Sequence, residues 1–334
     1  MTKSSPKTVF FNILKTLILP VVVFALFTVL SGGKFGTTTS MMAMLQNSCQ
    51  AMILAWGIML ITASGMWDLS AGGQVYLSAL IVIWLVTKFE LGLVEMLALL
   101  FVINMVFRVI VAFIYSRVHV KSMVVTLALT MIFEAIGKYF FGATMTIKNK
   151  ECLSIAYAPW CFVILAIAAV LITFIWKRTE FAYHVRALGA GEAVARNIGL
   201  DPIKVRCEVF LVEGVFLVLT SALLIATQTT VQPPMNLSSN KLVFNALMAV
   251  FIGMALERYS NRIISVGIGS LIMTMINSGL IAVGINSAWQ STITGLFMAL
   301  FIGFSTNQQR IQAYFDGRKR AEEANRKFKE RGIA

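Results

Sequence analysis

Charge is scarce in this chain. Asp, Glu, Lys and Arg make up 13% of its 334 residues, about half the ~25% share of a soluble globular domain. Histidine is scarcer still, with two in all, so histidine-based metal or acid–base chemistry has little to draw on. The four cysteines show no C-x-x-C spacing, which argues against a zinc module and a disulfide scaffold alike. No G-x-x-x-x-G-K-[ST] sequence occurs, so there is no phosphate-cradling loop of that kind. Apolar residues take the place of what is missing: they are 58% of the chain, and the mean hydropathy is +0.82. Such a balance excludes an ordinary cytosolic enzyme and a disordered chain. At ~20 residues per span, the length holds roughly ten membrane helices with short loops. The fold class is all-α and polytopic.

The net charge of +13 suggests nucleic acid until the charges are placed. Apolar runs fall at 17–31, 41–65, 74–87, 93–116, 123–141, 159–176, 207–228, 242–256, 263–283 and 288–305. Ten spans with the N-terminus inside put 21 Lys and Arg on one side and five on the other. Basic residues favour the cytoplasmic side of short loops, so the expected topology is N-in, C-in, with no nucleic-acid partner. The organisation expected is a cytoplasmic N-terminus (1–16), a transmembrane domain (17–305) with a cytoplasmic loop at 177–206, and a basic tail (306–334). No A-x-A-like site follows the first run, which is therefore read as a retained span.

Two runs are short for a span, 74–87 and 242–256. The first follows Gly65-Met66-Trp67-Asp68-Leu69-Ser70-Ala71-Gly72-Gly73, where glycines and an acid interrupt an apolar stretch. Broken backbone at membrane depth survives only when buried in protein or lining a wet cavity. Short, interrupted segments in the two halves of a transporter point to the substrate path. The path is accordingly expected beside 65–75 and 229–245.

Charged groups inside spans are costly and usually paired or functional. Glu134 and Lys138 stand four apart, acid first, the orientation that favours an intrahelical pair. Asp68 is placed to cap the helix after the break. Arg108 and Glu213 have no partner assignable from sequence. The second span opens with Gln46, Asn47, Ser48, Cys49 and Gln50. Amides both donate and accept, which suits sugar hydroxyls as well as helix–helix bonding, and Asn104, Asn245, Asn277 and Gln290 share that ambiguity. Trp56, Trp67 and Trp289 read first as packing or interface residues. Cys152 and Cys161 both fall near the outer face, where pairing and free thiols are both open.

The loop at 177–206 holds Gly191-Glu192-Ala193-Val194-Ala195-Arg196-Asn197-Ile198-Gly199, then Leu200-Asp201-Pro202. Glu192 suits a helix start, Gly199 a left-handed stop, and Pro202 bars continuation. A two-turn helix over 192–198 does not hold itself together in water. It needs a surface to pack on, and a cytoplasmic partner protein is the natural one.

These residues also carry a resemblance. Ala55-Trp56-Gly57-Ile58-Met59-Leu60-Ile61 through Ser64-Gly65-Met66-Trp67-Asp68-Leu69-Ser70-Ala71-Gly72 resembles the "GIDLSVG" region of ribose-type ABC importer permeases. Val124-Val125-Thr126-Leu127 is similar to their "FIVTLG", and His184 to Gly199 to their coupling loop. Asn277-x-Gly279-Leu280, Gly284-Ile285, Trp289-Gln290 and Gly295-Leu296 follow their closing pattern in order. The chain departs at Lys121-Ser122, where the family has prolines. The resemblance implies a non-catalytic membrane subunit importing a ribose-like sugar. Its partners would be a cytoplasmic ATPase carrying ATP and Mg, a second permease subunit and an extracytoplasmic sugar-binding protein. The implied substrate path takes Gln46, Asn47, Gln50, Asp68, Ser70, Thr126, Asn245, Asn277, Trp289 and Gln290. ATPase coupling takes Arg186, Glu192, Ala193, Ala195 and Gly199. A nucleoside or autoinducer-type sugar is the related cargo. An ion-coupled secondary transporter, relaying through Asp68, Glu134 and Lys138, is the alternative of another class, and a non-transporting membrane scaffold the third.

Overall fold

The computed structural model describes residues 6–118 and 120–286 and a few positions between 289 and 299, with side chains from Lys15 onward. The chain divides into two compact units, 1–287 and 288–334, and the first is the subject here. Its helices are α1 (Pro6–Leu30), α2 (Thr38–Ala63), α3 (Ser70–Phe89), α4 (Leu93–Arg117) and α5 (Ser122–Phe141), followed by the short α6 (Lys150–Leu153). Then come α7 (Trp160–Arg178), α8 (Glu180–Ala190), α9 (Glu192–Asn197), α10 (Pro202–Gln228), α11 (Asn240–Leu256) and α12 (Arg262–Val283). A two-residue ladder joins β1 (Met145–Thr146) to β2 (Thr230–Val231), antiparallel. Among the described residues, seven helices (α2, α3, α4, α5, α7, α10 and α12) are long and apolar enough to cross a membrane, and α1 and α11 add shorter apolar stretches. The tenth apolar run and the basic tail lie largely outside the described residues.

The helices sort into inner and outer. In α2, α3 and α10, 67, 72 and 78% of the most apolar window is buried, against 28% in α4 and 22% in α7. Lipid accepts strongly apolar helices such as α4 and α7, whereas the polar groups within the less apolar α2 and α3 need partners inside the bundle. In α2 every residue from Ile53 to Ile61 is buried, and this helix touches α7, α10, α11 and α12. Lipid offers apolar surface as freely as protein does, so close contact here depends on small residues. Gly57 of α2 lies against Phe216 and Glu213 of α10. The α11–α12 pair closes reciprocally: Gly253 faces the Val266 backbone, and Gly269 faces the Ala249 carbonyl.

Two expectations change. The run at 74–87 belongs to a 20-residue helix, because Gly72 and Gly73 continue α3 rather than break it. Their missing side chains admit the Ser239 carbonyl and the Thr130 backbone. The interruption shrinks to residues 64–69. The α11 helix remains short, at 17 residues. In the loop at 177–206 the structure adds α8, of 11 residues, before the expected short helix. Pro202 does more than end α9. It opens α10, and Asp201 Oδ1 caps that helix by accepting from Ile203 N at 3.0 Å.

Gly269 has no room for a methyl group, whereas one on Gly267 would meet only Trp56 at 3.6 Å. Gly269→Ala should cost about 1–3 kcal/mol by overpacking, and Gly267→Ala should be tolerated. Thermal unfolding of the purified variants in detergent checks the contrast. Equal midpoints for the two would contradict it.

Candidate functional site

The break between α2 and α3 leaves backbone groups without helical partners, and α5 supplies them. Ser122, Thr126 and Thr130 recur at intervals of four on one face of α5. Ser122 Oγ accepts from Trp67 N at 3.0 Å and Thr126 Oγ1 from Leu69 N at 3.1 Å, while Thr130 Oγ1 donates to Leu69 O at 2.8 Å. Asp68 adds a cap as expected, its Oδ1 accepting from Ser70 N at 2.7 Å and Ser70 Oγ at 2.6 Å. Its other oxygen receives Arg108 Nη1 of α4 at 2.5 Å, and the same nitrogen reaches Glu213 Oε2 of α10 at 3.1 Å. All three side chains are fully buried. Arg108 and Glu213, without assignable partners in the sequence, therefore complete one triad with Asp68.

Two cavities flank α5, one at each end. The first, of about 680 Å³, opens beside the break between Gly65, Trp67, Lys121, Glu192, Arg196 and Arg206. The second, of about 430 Å³, lies between Met131, Glu134, Lys138, Tyr139, Met235 and Leu237. The expected Glu134–Lys138 pair does not form. Glu134 instead accepts from Leu237 N at 2.8 Å, Ser239 N at 2.9 Å and Ser239 Oγ at 2.6 Å. Lys138 Nζ turns to the Gly142 carbonyl at 3.0 Å. The carboxylate is taken by the turn before α11, where Asn236 and Leu237 both hold positive φ, +56° and +62°. Three short bonds to one acid hold that turn in a conformation that few side chains adopt.

At the loop, Glu192 takes Arg196 Nη2 at 2.8 Å and Arg206 Nη2 at 3.2 Å. The hydrogen bond from Arg196, with Arg206 alongside, holds its carboxyl below the usual carboxylate range. Gly199 ends α9 at φ +80°, as its position implied. Ala193 is exposed, but Ala195 is fully buried within this chain. Arg186 anchors α8: its Nη2 donates to the Trp176 carbonyl at 3.0 Å, and the guanidinium lies 4.6 Å from that indole. Arg262, at the start of α12, approaches the same ring at 5.5 Å. The last turn of α8 presses on the break, with Gly189 against the Ala63 carbonyl.

Of the residues expected to touch cargo, Asp68, Ser70 and Thr126 come together, but inside the scaffold of the break rather than on either cavity wall. Gln46 and Gln50 are half-buried near the start of α2 and Asn47 is exposed there; Asn245 and Asn277 are half-buried on α11 and α12. The Asn245 side-chain oxygen is buried without a hydrogen bond. Trp289 and Gln290 belong to the second unit, where both are helical. Cys152 and Cys161 are both free thiols. The hydroxyl ladder of α5 was missed, although its four-residue spacing stands in the sequence. Among the described residues no cluster of three His, Cys, Asp or Glu is placed to hold a metal.

The site thus lies in a bundle of helices long and apolar enough to cross a membrane, with a short helix in a basic loop beside it. Residues 40–302 match the family model described as branched-chain amino acid transport system / permease component, and the chain belongs to that family. The probable ABC transporter permease protein YphD of Escherichia coli is 26% identical, over 80% of this chain and 82% of its own. The ribose import permease protein RbsC of the same organism is 22% identical, over 88% and 94%. The L-arabinose transport system permease protein AraH of that organism is 22% identical, over 60% and 62%. No solved structure matches. Family membership and the long apolar helices make the chain a multi-pass membrane permease.

Arg108 is the only cation of the triad, so its loss leaves two carboxylates buried together. Arg108→Met should cost about 3–5 kcal/mol and most of the folded yield. Glu213→Gln leaves one acid against one base and removes no hydrogen bond, since neither Glu213 oxygen makes one, so it should cost about 1 kcal/mol or less. The monodisperse fraction on size exclusion and the melting temperature check this order. A Glu213→Gln variant as damaged as Arg108→Met would overturn it.

Proposed function

We propose that this chain is the membrane subunit of an ATP-driven importer for a pentose of ribose-like shape, oriented with both termini in the cytoplasm. The likeness to RbsC across 88% of the chain carries this reading, and the L-arabinose assignment of AraH supports a pentose. A cytoplasmic ATPase would hold ATP and Mg, a second permease subunit would complete the path, and a sugar-binding protein would deliver cargo from outside. The path would run along α5, since the two cavities open at its two ends. Gln46, Asn47 and Gln50 of α2, Asn245 of α11 and Asn277 of α12 would be the further polar groups offered to sugar hydroxyls, away from the two cavities. Asp68, Ser70 and Thr126 would serve the path indirectly, by holding the break in shape.

Coupling would pass through α8 and α9. In the N-in orientation α9 faces the cytoplasm, and its exposed side, with Ala193, would enter a groove of the ATPase. Ala195 packs inward, so its role is to seat α9 on the permease. Glu192 holds α9 to α10 through Arg206, and Arg186 holds α8 to α7. A push on α9 would reach the break through Gly189 and its contact with the end of α2.

Uptake of radiolabelled ribose, L-arabinose and xylose into reconstituted vesicles tests this. Transport should need the ATPase and ATP and should be unaffected by proton or sodium gradients. Gradient-driven uptake by this chain alone would favour a secondary transporter instead. Gly199→Val forces a β-branched residue into a left-handed conformation, at a cost of roughly 1–2 kcal/mol or more. The variant should insert normally yet lose transport relative to ATP hydrolysis. Ala193→Trp should weaken ATPase retention with little effect on permease stability, whereas Ala195→Trp should lower the stability itself. If Ala193→Trp and Gly199→Val both assemble, hydrolyse and transport like the parent, the coupling role is wrong.

A further inference from the structure

We propose that the cavity beside the α2–α3 break is a binding site for a phosphate group carried on a small organic body. Three cations line it from three separate places: Lys121 from the turn before α5, Arg196 from α9 and Arg206 from α10. One acid, Glu192, lines it as well, and it is engaged by both arginines. The lining thus keeps a net positive charge after its own ion pairs are made. Donors remain to be used. The Nε of Arg206 is buried without a hydrogen-bond partner, and a buried donor left unmade is costly. Guanidinium forks and a lysine ammonium are the groups that recognise phosphate, the first by paired N–H donors and the second as a point charge.

The rest of the wall says what the phosphate is attached to. Met66, Val118, Val120, Met123 and Ile203 make one side apolar, which a bare inorganic anion would leave unfilled. The volume of about 680 Å³ lies within the range of small-molecule sites, roughly 300–1,000 Å³. The lining comes from the C-terminal end of α4 and the N-terminal ends of α5 and α10, the level at which spans leave the membrane. Trp67 and Tyr115 line it too, as aromatic residues do at headgroup depth. Two sources carry this chemistry, the headgroup of an anionic phospholipid and a soluble phosphate ester. Bound from either source, the phosphate spans from Lys121 to the two arginines and ties α9 to the break. The site does not depend on which sugar is transported.

Calorimetric titration of the full-length chain in neutral detergent at low salt tests the site. Short-chain phosphatidylglycerol and glycerol 3-phosphate are the two probes. At least one should bind saturably, and Lys121→Gln and Arg206→Gln should each weaken it by about tenfold or more, the loss of a charge-assisted hydrogen bond. Lys177→Gln removes an exposed lysine at the end of α7, outside the cavity, and should leave the affinity unchanged. Lys121 is exposed, so its variant reads binding without a folding defect. Phosphatidylglycerol binding alone assigns a lipid headgroup, and glycerol 3-phosphate alone a soluble ester. The proposal fails if neither probe saturates, or if Lys177→Gln weakens binding as much as Lys121→Gln.

Discussion

A turn buried inside protein has little water to satisfy its amides and carbonyls, and the six residues between α2 and α3 set the terms for the helices around them. Three hydroxyls of α5 bond the backbone of Trp67 and Leu69. Asp68 caps the start of α3 and draws in Arg108, which draws in Glu213. In this way α4, α5 and α10 are each tied to the same short stretch of chain. The ties are polar and directional, so they fix register where apolar packing against lipid-like surfaces would leave helices free to slide. One guanidinium shared by two acids is a strained economy, which is why the neutralising partner matters more than either acid.

Much of this was legible in the sequence, and the misses have physical causes. Spans show as long apolar runs, and α9 shows through Glu192 and Gly199, because these are local signals. The triad joins residues 40 and 145 positions apart, and no local pattern encodes such a meeting. Glu134 and Lys138 have the spacing of a pair, but the amides of the turn before α11 compete for the same carboxylate and win by number. Gly72 and Gly73 look like a helix break when read alone. Next to the Ser239 carbonyl and the Thr130 backbone they are contact points within α3. Buried Ala182, Val185 and Leu188 recur every third residue in α8, a signal the mixed composition of that loop obscured. For the site residues, the sequence located the break but not the direction in which Asp68, Ser70 and Thr126 face.

The two cavities differ in how they are held. The one beside the break has a wall of charged side chains from a surface loop, while the other lies under a turn strapped to Glu134. Opening the second would release Asn236 and Leu237 from positive φ and also break three hydrogen bonds, so relief of strain and loss of bonding oppose each other. A turn balanced in that way responds to modest forces.

Trp176 stands between two guanidinium groups, Arg186 of α8 and Arg262 of α12, and Arg262 is held in turn by Glu257 at 3.0 Å. The ring belongs to the end of α7, so α8 and the α11–α12 turn, some seventy residues further along the chain, meet on it. Two turns that lie far apart in the sequence therefore share one ring as a common point of attachment.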